Sequence, residues 1–499
     1  MSSDKAEQKS KYEELMQLAL EKGFFFPSAE IYNDAPAGFW DYGPVGLLLR
    51  ENFVRLWRRE IVRRDDMLEI DGSVILPKVV FEASGHLSSL VDPVVECTKC
   101  RTKLRADKFI SEKTGLQIDE RLSPDEFQSL VERYGLKCPK CGGELGKPTK
   151  FNMMFRVGVG AENSDAYLRP ETAQSIFVDF ARLSKTMRMK LPKGVGQVGR
   201  SFRNEIAPRQ SLIRLRELIQ AEVEVFYNPE SKIDFSAKFD RVRKTTMNLL
   251  LEPYGPNQEI TTVTSEDATK FMGKMEIMSY YFALLQEFYE KMGIKKEDSR
   301  FRQLSAVDRA FYTTSAFDFE VKTSIGWLEL VACNYRTDYD LSNHGRVSGR
   351  DMSVMDMEQK VVPHVIELSI GVDRSIFTLL DKGYSKEPER DVLRFRANVA
   401  PYLAAIFPLV SKPDFESKAL EIYEELKLEE FATFYDDSGA IGRRYRRMDQ
   451  IGTPYCITID HQTLTDGTVT LRERDSMSQS RKNSNELRET LRNLRDGNG

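Results

Sequence analysis

Acidic and basic side chains stand close together in four separated segments of this 499-residue chain. The segments are residues 169–172 (RPET), 202–205 (FRNE), 327–330 (WLEL) and 367–374 (ELSIGVDR), and the second continues through a polar loop to residues 214–217 (RLRE) and Glu222. Arginine forks can grip phosphate oxygens in two places, and carboxylates can hold Mg²⁺ or an ammonium group. One such segment is weak evidence, but four in this order predict a site that activates an amino acid with ATP.

Strand parity sorts many of these side chains onto one surface, because alternate residues of a β-strand share a face. Three sets share a face in this way: Ser201, Arg203 and Glu205; Gln220, Glu222 and Glu224; Glu367 and Ser369. The pattern predicts an antiparallel sheet with a polar working face. For any single strand the alternative is a solvated outer face with ordinary ion pairs, whereas several such strands favour a shared cleft.

Length and composition limit the class of protein. A chain of 499 residues predicts two or three domains with insertions. No apolar run approaches the ~20 residues of a membrane span, and the polar N-terminus has no signal-peptide core, so we expect a cytoplasmic protein without a membrane partner. The net charge of −4 argues against nonspecific nucleic-acid coating but allows a local basic patch. None of the 4 histidines lies in a nucleophile motif, which disfavours imidazole-based catalysis.

Two helices and a strand are predicted ahead of the charged segments. The first helix covers residues 12–22, and the second follows Pro44. An apolar stripe along the second helix consists of Leu49, Phe53, Trp57 and Ile61. That stripe belongs either to the core or to a subunit interface. A strand is predicted over residues 69–76.

Two cysteine pairs bracket an insertion over about residues 97–150. The pairs are Cys97 with Cys100 and Cys138 with Cys141. Their C-x-x-C spacing is typical of the two knuckles of a tetrahedral Zn²⁺ site. We expect a structural zinc, because four thiolates leave no open coordination position; reduced, unliganded cysteines are the alternative. Between the pairs, Ser123 begins a predicted capping box and a short helix.

The rest of the chain divides into a second insertion and a C-terminal module. The insertion, about residues 228–300, is predicted to be mostly helical, with Ser265 capping a helix. From about residue 395, short strands alternate with helices, which indicates a separate α/β module. Its predicted elements are strands over residues 398–400, 433–435, 455–460 and 468–474 and a helix over residues 415–426. We therefore predict an α+β protein with a catalytic domain over residues 1–390 and an α/β domain over residues 391–499.

The densest basic run lies in this C-terminal module. It contains Arg443, Arg444, Arg446 and Arg447 around Tyr445. A run of this kind is usually a solvated face. If the protein binds RNA, this basic run is the first candidate for the contact. All four arginines are therefore candidate RNA-binding residues.

Further segments complete the pattern: residues 37–46 (AGFWDYGPVG), 83–86 (ASGH), 151–155 (FNMMF), 168–174 (LRPETAQ), 201–206 (SFRNEI) and 371–374 (GVDR). With them, residues 24–481 resemble glycyl-tRNA synthetase of the dimeric class II type. The resemblance implies an antiparallel catalytic sheet ringed by helices and a C-terminal anticodon-binding α/β domain. It also implies glycine, ATP, Mg²⁺ and tRNA(Gly) as ligands, a homodimer as the assembly, and the four arginines above as tRNA contacts.

The resemblance assigns roles to individual residues. Arg203 would hold the α-phosphate, Glu205 would contact adenine or its loop, and Arg214 would approach the β- and γ-phosphates. Arg374 would bind the bent triphosphate, Glu329 would take the Mg²⁺ position, and these two residues with Arg203 form the implied catalytic set. The implied ATP-binding set is Arg203, Asn204, Glu205, Ile213, Arg214, Leu215, Arg216, Glu217, Leu218, Glu329, Leu330, Gly371 and Arg374. The implied glycine-binding set is Arg105, Glu171, Glu222, Glu367 and Ser369.

Two other functions compete with this one. A sister class II enzyme for serine, threonine or proline would share the phosphate-binding residues and differ in the amino acid that it activates. A catalytically inactive, synthetase-like RNA-binding subunit is expected to have lost the charged site. Arg203, Glu205, Glu329 and Arg374 are all present, which favours an active enzyme.

Overall fold

A computed structural model describes residues 2–116, 118–119, 121–208, 210–231, 235–254, 259–306 and 308–497. Nine of the described strands form a central sheet. In spatial order they are Thr261–Thr264, Thr246–Leu250, Ser299–Gln303, Ser315–Thr323, Gly326–Thr337, His364–Gly371, Glu217–Tyr227, Lys193–Phe202 and Leu68–Glu69. Neighbours are antiparallel except that Thr246–Leu250 with Ser299–Gln303, and Lys193–Phe202 with Leu68–Glu69, are parallel. The predicted antiparallel sheet is therefore present, with parallel pairs toward its two edges.

Helices cover both faces of this sheet. They are Ser2–Glu21, Pro44–Trp57 (continued as a π-helix over Arg58–Arg63), Ala173–Thr186, Glu276–Lys291, Tyr339–Ser348 and Val372–Gly383. The predicted stripe of the second helix lies in the core: Leu49, Phe53 and Trp57 are 0% exposed and Ile61 is 1% exposed. Phe53 packs edge-on against Phe288, with ring centroids 5.4 Å apart. The core alternative is thus the correct one for this stripe.

The strand predicted over residues 69–76 is wrong. Two short strands, Leu68–Glu69 and Ile75–Pro77, flank a non-strand segment. There the carbonyl oxygen of Gly72 accepts a hydrogen bond from Nη1 of Arg169 at 2.8 Å, instead of pairing with a neighbouring strand. The segment also lies very close to the helix Ala173–Thr186. A Cβ atom at Gly72 would lie 2.3 Å from Cβ of Ser175 in that helix. Ile75–Pro77 joins a small sheet with Ser164–Leu168 and Arg156–Val159.

The cysteine-containing insertion forms its own small sheet and core. Its strands are Val91–Glu96, Lys103–Arg105 and Thr149–Asn152, and its helices are Ala106–Thr114 and Pro124–Arg133. The predicted capping box is confirmed: Ser123 Oγ accepts from the Glu126 amide at 3.3 Å, and Glu126 Oε2 accepts from the Ser123 amide at 2.7 Å. Phe127 and Val131 then pack beneath this sheet.

The second insertion is mixed rather than mostly helical. Two of its strands, Thr246–Leu250 and Thr261–Thr264, extend the central sheet. Thr264 rather than Ser265 caps the short helix Ser265–Ala268, because Thr264 Oγ1 accepts from the Asp267 amide at 3.1 Å. The methionines and aromatics belong mainly to the later helix Glu276–Lys291, where Phe282 stacks on Phe301 at 4.3 Å. These side chains are packing residues.

A separate five-stranded sheet forms the C-terminal part. Its spatial order is Thr433–Tyr435, Ala404–Pro408, Tyr455–Ile459, Thr468–Glu473 and Gln479–Asn483. The helices are Pro413–Leu426, Ile441–Ile451, His461–Asp466 and Leu487–Asp496. The strand predicted at residues 398–400 is wrong, since the amides of Val399 and Ala400 both donate to the Arg396 carbonyl in a turn.

Shorter elements join these parts. They are the strand pairs Phe25–Pro27 with Trp40–Tyr42, Val354–Asp356 with Gln359–Val361, and Tyr384–Lys386 with Asp391–Leu393, and the helices Lys78–Ala83, His86–Ser89 and Ser236–Phe239. Among the described residues, no helix has both the length and the apolar character that crossing a membrane requires.

Candidate active site

A cavity of about 830 Å³ lies against the polar face of the central sheet. The phosphate- and nucleotide-binding candidates that line it are Arg203, Glu205, Ile213, Arg214, Leu215, Leu218, Glu329, Leu330, Gly371 and Arg374. The glycine-binding candidates that line it are Glu171, Glu222, Glu367 and Ser369. The chain therefore brings ten of the thirteen nucleotide candidates and four of the five glycine candidates to one cavity.

Glu222 is held at the acidic end of the cavity by hydrogen bonds from two elements. Its Oε2 accepts from the Thr172 amide at 2.6 Å and from the Ala173 amide at 2.9 Å. Its Oε1 accepts from Ser369 Oγ at 2.5 Å, because the strands pair these residues directly. Burial, and then the nearby carboxylate of Glu171, raise the pKa of Glu222. The carboxyl is thus fixed in position, and no cationic side chain among the described residues forms an ion pair with it.

Glu171 and Glu367 share one buried cation, Arg336. Arg336 is 0% exposed; its Nη1 lies 2.8 Å from Glu367 Oε1, and its Nη2 lies 3.5 Å from Glu171 Oε1. Asp340, four residues later on a helix, accepts from Nε at 2.7 Å and from Nη2 at 2.9 Å. His86 Nε2 lies 3.3 Å from the other Glu171 oxygen. Burial would raise the pKa of Glu171, but His86 and Arg336 hold it well below its usual range.

Acidic groups outnumber this cation. Burial raises the pKa of Glu367 to about 8, against the opposing effect of Arg336. Glu224 lies beside Glu367 across the strand pair and is 0% exposed. Neither Glu224 oxygen has a hydrogen-bond partner among the described residues. Burial and the Glu367 charge raise the pKa of Glu224 well above its usual range, so this end of the cavity favours an incoming positive charge.

Arginine side chains also line the cavity, and Arg203, Arg214 and Arg374 are among them. Arg203 lies just past the strand, which ends at Phe202, and its Nε donates to the Pro170 carbonyl at 3.0 Å. The prediction that Ser201, Arg203 and Glu205 share one face of a strand is therefore wrong for Arg203 and Glu205, because both lie beyond the end of the strand at Phe202. Glu205 pairs with Arg214, whose Nε lies 2.8 Å from Oε2. Loop geometry, rather than alternation, brings these charged side chains to the cavity.

Arg374 and Glu329 both line the cavity and form an ion pair with each other. Arg374 lies in the first turn of Val372–Gly383, and its Nη1 is 3.1 Å from Glu329 Oε2. Their side chains are 34% and 43% exposed, so both are accessible to a ligand. Asp318 lies near Glu329, and burial followed by the Glu329 charge raises the pKa of Asp318 well above its usual range. A second carboxyl is therefore present where a divalent cation would bring positive charge.

Four predicted residues do not line the cavity, although all lie in described parts of the chain: Arg105, Asn204, Arg216 and Glu217. The Arg105 guanidinium forms ion pairs with Asp92, at an N–O distance of 3.0 Å, and with Asp107, at 2.9 Å. Its neighbours Asp107 and Lys108 do line the cavity. The cysteine-containing insertion therefore closes one side of the site with a helix that follows Arg105.

The four cysteines of the insertion converge on one point. Their sulfur atoms lie within 4.8 Å of one another, and none forms a disulfide. Cys97 and Cys141 are 3.6 Å apart, as are Cys100 and Cys138. A zinc–sulfur distance of about 2.3 Å implies tetrahedral edges of about 3.8 Å. The four sulfur atoms thus match the size of a Zn²⁺ site.

The basic run on Ile441–Ile451 is only partly exposed. Arg444 is 2% exposed, and its Nη2 donates to the Gly439 carbonyl at 2.7 Å. The prediction that Arg444 contacts RNA is corrected, because this guanidinium is buried and serves to hold the loop before the helix. Arg447 pairs with Asp436 at 2.5 Å and is half-buried. Arg443 and Arg446 are exposed.

Sequence reasoning missed several residues of the site. The missed side chains are His86, Gln174, Tyr312, Asn334, Arg336 and Asp340. A signal existed for Asn334 and Arg336, which alternate on the strand next to Glu367, and for Asp340 one helical turn later. No local periodicity identifies His86 or Tyr312, since both lie outside the long strands.

Comparison with known proteins extends over almost the full chain. Residues 155–383 match the family model described as tRNA synthetase class II core domain (G, H, P, S and T), and residues 404–494 match that of an anticodon binding domain. The chain is 38% identical to the glycine–tRNA ligase of Archaeoglobus fulgidus over 96% of both chains. It is 37% identical to that of Pyrococcus horikoshii, over 97% of this chain and 98% of the relative. For Methanocaldococcus jannaschii the identity is 36%, over 97% and 99%.

Proposed function

The chain belongs to the glycine–tRNA ligase family of class II aminoacyl-tRNA synthetases, and we propose how its own residues carry out the reaction. Glycine and ATP give glycyl-adenylate and pyrophosphate, and glycine then passes to the 3′-terminal ribose of tRNA(Gly). One observation carries the proposal. A single cavity is lined both by an acidic group, Glu171, Glu222 and Glu367, and by an arginine-rich group, Arg203, Arg214 and Arg374.

The acidic group is proposed to bind the ammonium group of glycine. Glu222 is held by two backbone amides and Ser369, and in the described part of the chain no cationic side chain pairs with it. Glu171 and Glu367 share Arg336, which is too few positive charges for these carboxyls. An ammonium supplies the missing charge. Glycine is the smallest amino acid, so the pocket can reject larger rivals by steric exclusion, which is easier than rejecting smaller ones.

The arginine-rich group is proposed to bind ATP. Arg203 holds the α-phosphate, Arg214 approaches the β- and γ-phosphates, and Arg374 grips the triphosphate from the facing helix. Glu205 orients Arg214 through their 2.8 Å ion pair and contacts adenine or its loop. The helix that begins beside Arg374 adds backbone N–H groups that favour anions.

The glycine carboxylate is the nucleophile, so the protein needs no nucleophilic side chain. Its task is to align glycine with the α-phosphate and to neutralise the charge on the phosphate oxygens. A carboxylate oxygen of glycine forms a bond to the α-phosphorus, and the bond from that phosphorus to the pyrophosphate oxygen breaks. Arg203 and Arg374 stabilise the charge that develops on these oxygens. Glu329 is proposed as a ligand of Mg²⁺, which when bound neutralises phosphate charge. Its exposed carboxylate beside Arg374 and Asp318 fits that role.

The four cysteines are proposed to hold a structural Zn²⁺. The sulfur distances support this assignment. The bound ion would tie the two ends of the insertion together, next to the helix Ala106–Thr114 that closes one side of the cavity. It would take no part in the chemistry.

The C-terminal module is proposed to bind the anticodon region of tRNA(Gly), with Arg443, Arg446 and Arg447 as candidate contacts. Support comes from the anticodon-binding family match over residues 404–494 and from the exposure of Arg443 and Arg446. We further propose a homodimer, a catalytic domain ending near residue 390, and a cytoplasmic location, where tRNA, ATP and glycine meet.

ATP–pyrophosphate exchange tests the proposal directly. The purified protein is supplied in turn with glycine, serine, threonine and proline. Exchange with glycine alone is the expected result. Exchange with serine but not glycine would assign the protein to a sister enzyme, and no exchange with any amino acid would favour an inactive RNA-binding subunit.

A further inference from the structure

One aromatic side chain, Tyr312, lines the cavity among the described residues. It lies on the loop between strands Ser299–Gln303 and Ser315–Thr323. Its ring centroid is 3.8 Å from Cζ of Arg336. Arg336 itself is 0% exposed and does not line the cavity. The Tyr312 ring therefore covers the guanidinium that neutralises Glu171 and Glu367.

Neighbouring contacts fix this ring in place. Phe311 packs edge-on against His86, with centroids 5.8 Å apart, and against Tyr339 at 6.1 Å. Gly85 has φ +82, and a Cβ there would lie 3.1 Å from the Phe311 ring. The segment next to Tyr312 is thus packed directly onto the turn that carries His86, the histidine that contacts Glu171.

The position of the ring bears on amino-acid selection. Glu171 and Glu367 lie close enough to Tyr312 that their charges, after burial, help to raise the pKa of its hydroxyl well above the usual range. An ammonium bound by these carboxylates brings the amino-acid Cα to the same end of the cavity. The ring then occupies space next to Cα, and it separates the ammonium from the Arg336 cation.

We propose that Tyr312 is a specificity-determining residue of the amino-acid pocket: its ring denies room for a substituent on Cα and shields the bound ammonium from Arg336. This inference rests on the proposed function. It concerns packing rather than chemistry, because the ring has no part in the transfer of the adenylyl group. Hydrophobic packing discriminates single methyl groups by about 10–200-fold.

Three substitutions and a neighbouring control test the proposal. Tyr312→Ala and Tyr312→Leu open the space, Tyr312→Phe keeps the ring, and Thr314→Ala alters an exposed position of the same loop that does not line the cavity. ATP–pyrophosphate exchange is measured with glycine, L-alanine and L-serine, and thermal unfolding confirms that each variant folds. Tyr312→Leu serves if Tyr312→Ala does not fold.

The expected result is a fall of about tenfold or more in the ratio of kcat/KM for glycine to that for alanine in the opened variants. The KM for glycine should rise, since Arg336 is uncovered, while the KM for ATP stays within about twofold. Tyr312→Phe and Thr314→Ala should keep the parent ratio. An unchanged ratio in both opened variants, or the same loss in Tyr312→Phe or Thr314→Ala, would overturn the inference. If the parent protein fails to exchange with glycine, the proposed function is wrong instead.

Discussion

Arg336 Nη1 lies 2.8 Å from Glu367 Oε1, with side-chain exposures of 0% and 2%. The same guanidinium binds Asp340 through two nitrogens. The cation therefore lies behind the cavity lining, where it allows several carboxyls to be buried together.

Removing this cation should destabilise the fold. In Arg336→Ala, Glu171, Asp340 and Glu367 lose their shared partner, and breaking a buried pair in this way costs about 3–5 kcal/mol. Urea unfolding measures the change in the free energy of unfolding. Arg346→Ala, at an exposed position of the helix that carries Asp340, is the matched control and should be nearly neutral. A loss below about 1 kcal/mol, as for an exposed ion pair, would contradict the buried-cation role.

Sequence reasoning reached the acidic side of the site because strand alternation is local. Glu222 and Ser369 each follow a period of two, and the strands then pair them directly. It failed where the chain leaves a strand: Arg203 sits beyond Phe202, and its position depends on a hydrogen bond to Pro170.

Tertiary packing explains the other errors. Arg444 looked like one of four equivalent surface arginines, yet helix orientation turns it toward the carbonyl oxygens of Pro408 and Gly439. The second insertion contributed strands that its helical pattern did not indicate: Thr246–Leu250 pairs with Thr261–Thr264 and, beyond the helix Glu276–Lys291, with Ser299–Gln303. Composition and periodicity carry no information on such distant partners.

Arg203 should be essential for adenylate formation. In Arg203→Ala the α-phosphate loses its guanidinium partner in the transition state, and removing one such donor costs about 10²–10³ in kcat. ATP–pyrophosphate exchange measures the loss, and a filter-binding assay should show tRNA affinity close to that of the parent. Arg200→Ala is the control, because that side chain is 60% exposed and pairs with Glu217. Exchange activity preserved in Arg203→Ala would exclude the phosphate role.

Glycine binding should release a proton below pH about 8. Burial raises the pKa of Glu367 to about 8, so this carboxyl holds a proton at lower pH, while a bound ammonium favours its ionised form. Affinity for glycine should therefore increase as pH rises toward about 8, by at most about tenfold per pH unit. Calorimetry in buffers of different ionisation enthalpy counts the released protons.

An isosteric variant provides the control for this experiment. The pKa of Glu224 lies well above its usual range because of burial and the Glu367 charge. Its carboxyl does not line the cavity that would receive the ammonium, so Glu224→Gln should release as many protons as the parent. Heats that do not depend on the buffer, or affinity that falls as pH rises toward about 8, would contradict the assignment to Glu367.

Loss of one cysteine should remove the zinc. Cys141 lies 3.6 Å from Cys97 and completes the set of four sulfur atoms, so Cys141→Ser should lower the zinc content found by elemental analysis. The insertion should become more sensitive to proteases, because its sheet and helices depend on that link. Cys456→Ala, in a strand of the other sheet, should retain the metal. Equal zinc content in the two variants would show that these four cysteines do not form the metal site.

Exposed and buried arginines of the basic helix should behave differently toward tRNA. Arg443→Ala and Arg446→Ala each remove an exposed cation, so the slope of log Kd against log salt should fall by about 0.7 for each phosphate that the helix no longer neutralises. ATP–pyrophosphate exchange should be unaffected, because the central cavity is untouched.

Arg444→Ala is the internal comparison. Its guanidinium is 2% exposed and holds the Gly439 carbonyl at 2.7 Å, so its loss should lower the free energy of unfolding by about 1–3 kcal/mol while the salt slope stays that of the parent. The measurement is tRNA binding over a range of potassium chloride concentrations, with unfolding followed separately. If Arg443→Ala and Arg446→Ala keep the parent slope, the helix does not contact the RNA; if Arg444→Ala alone lowers it, the buried arginine has to move outward on binding.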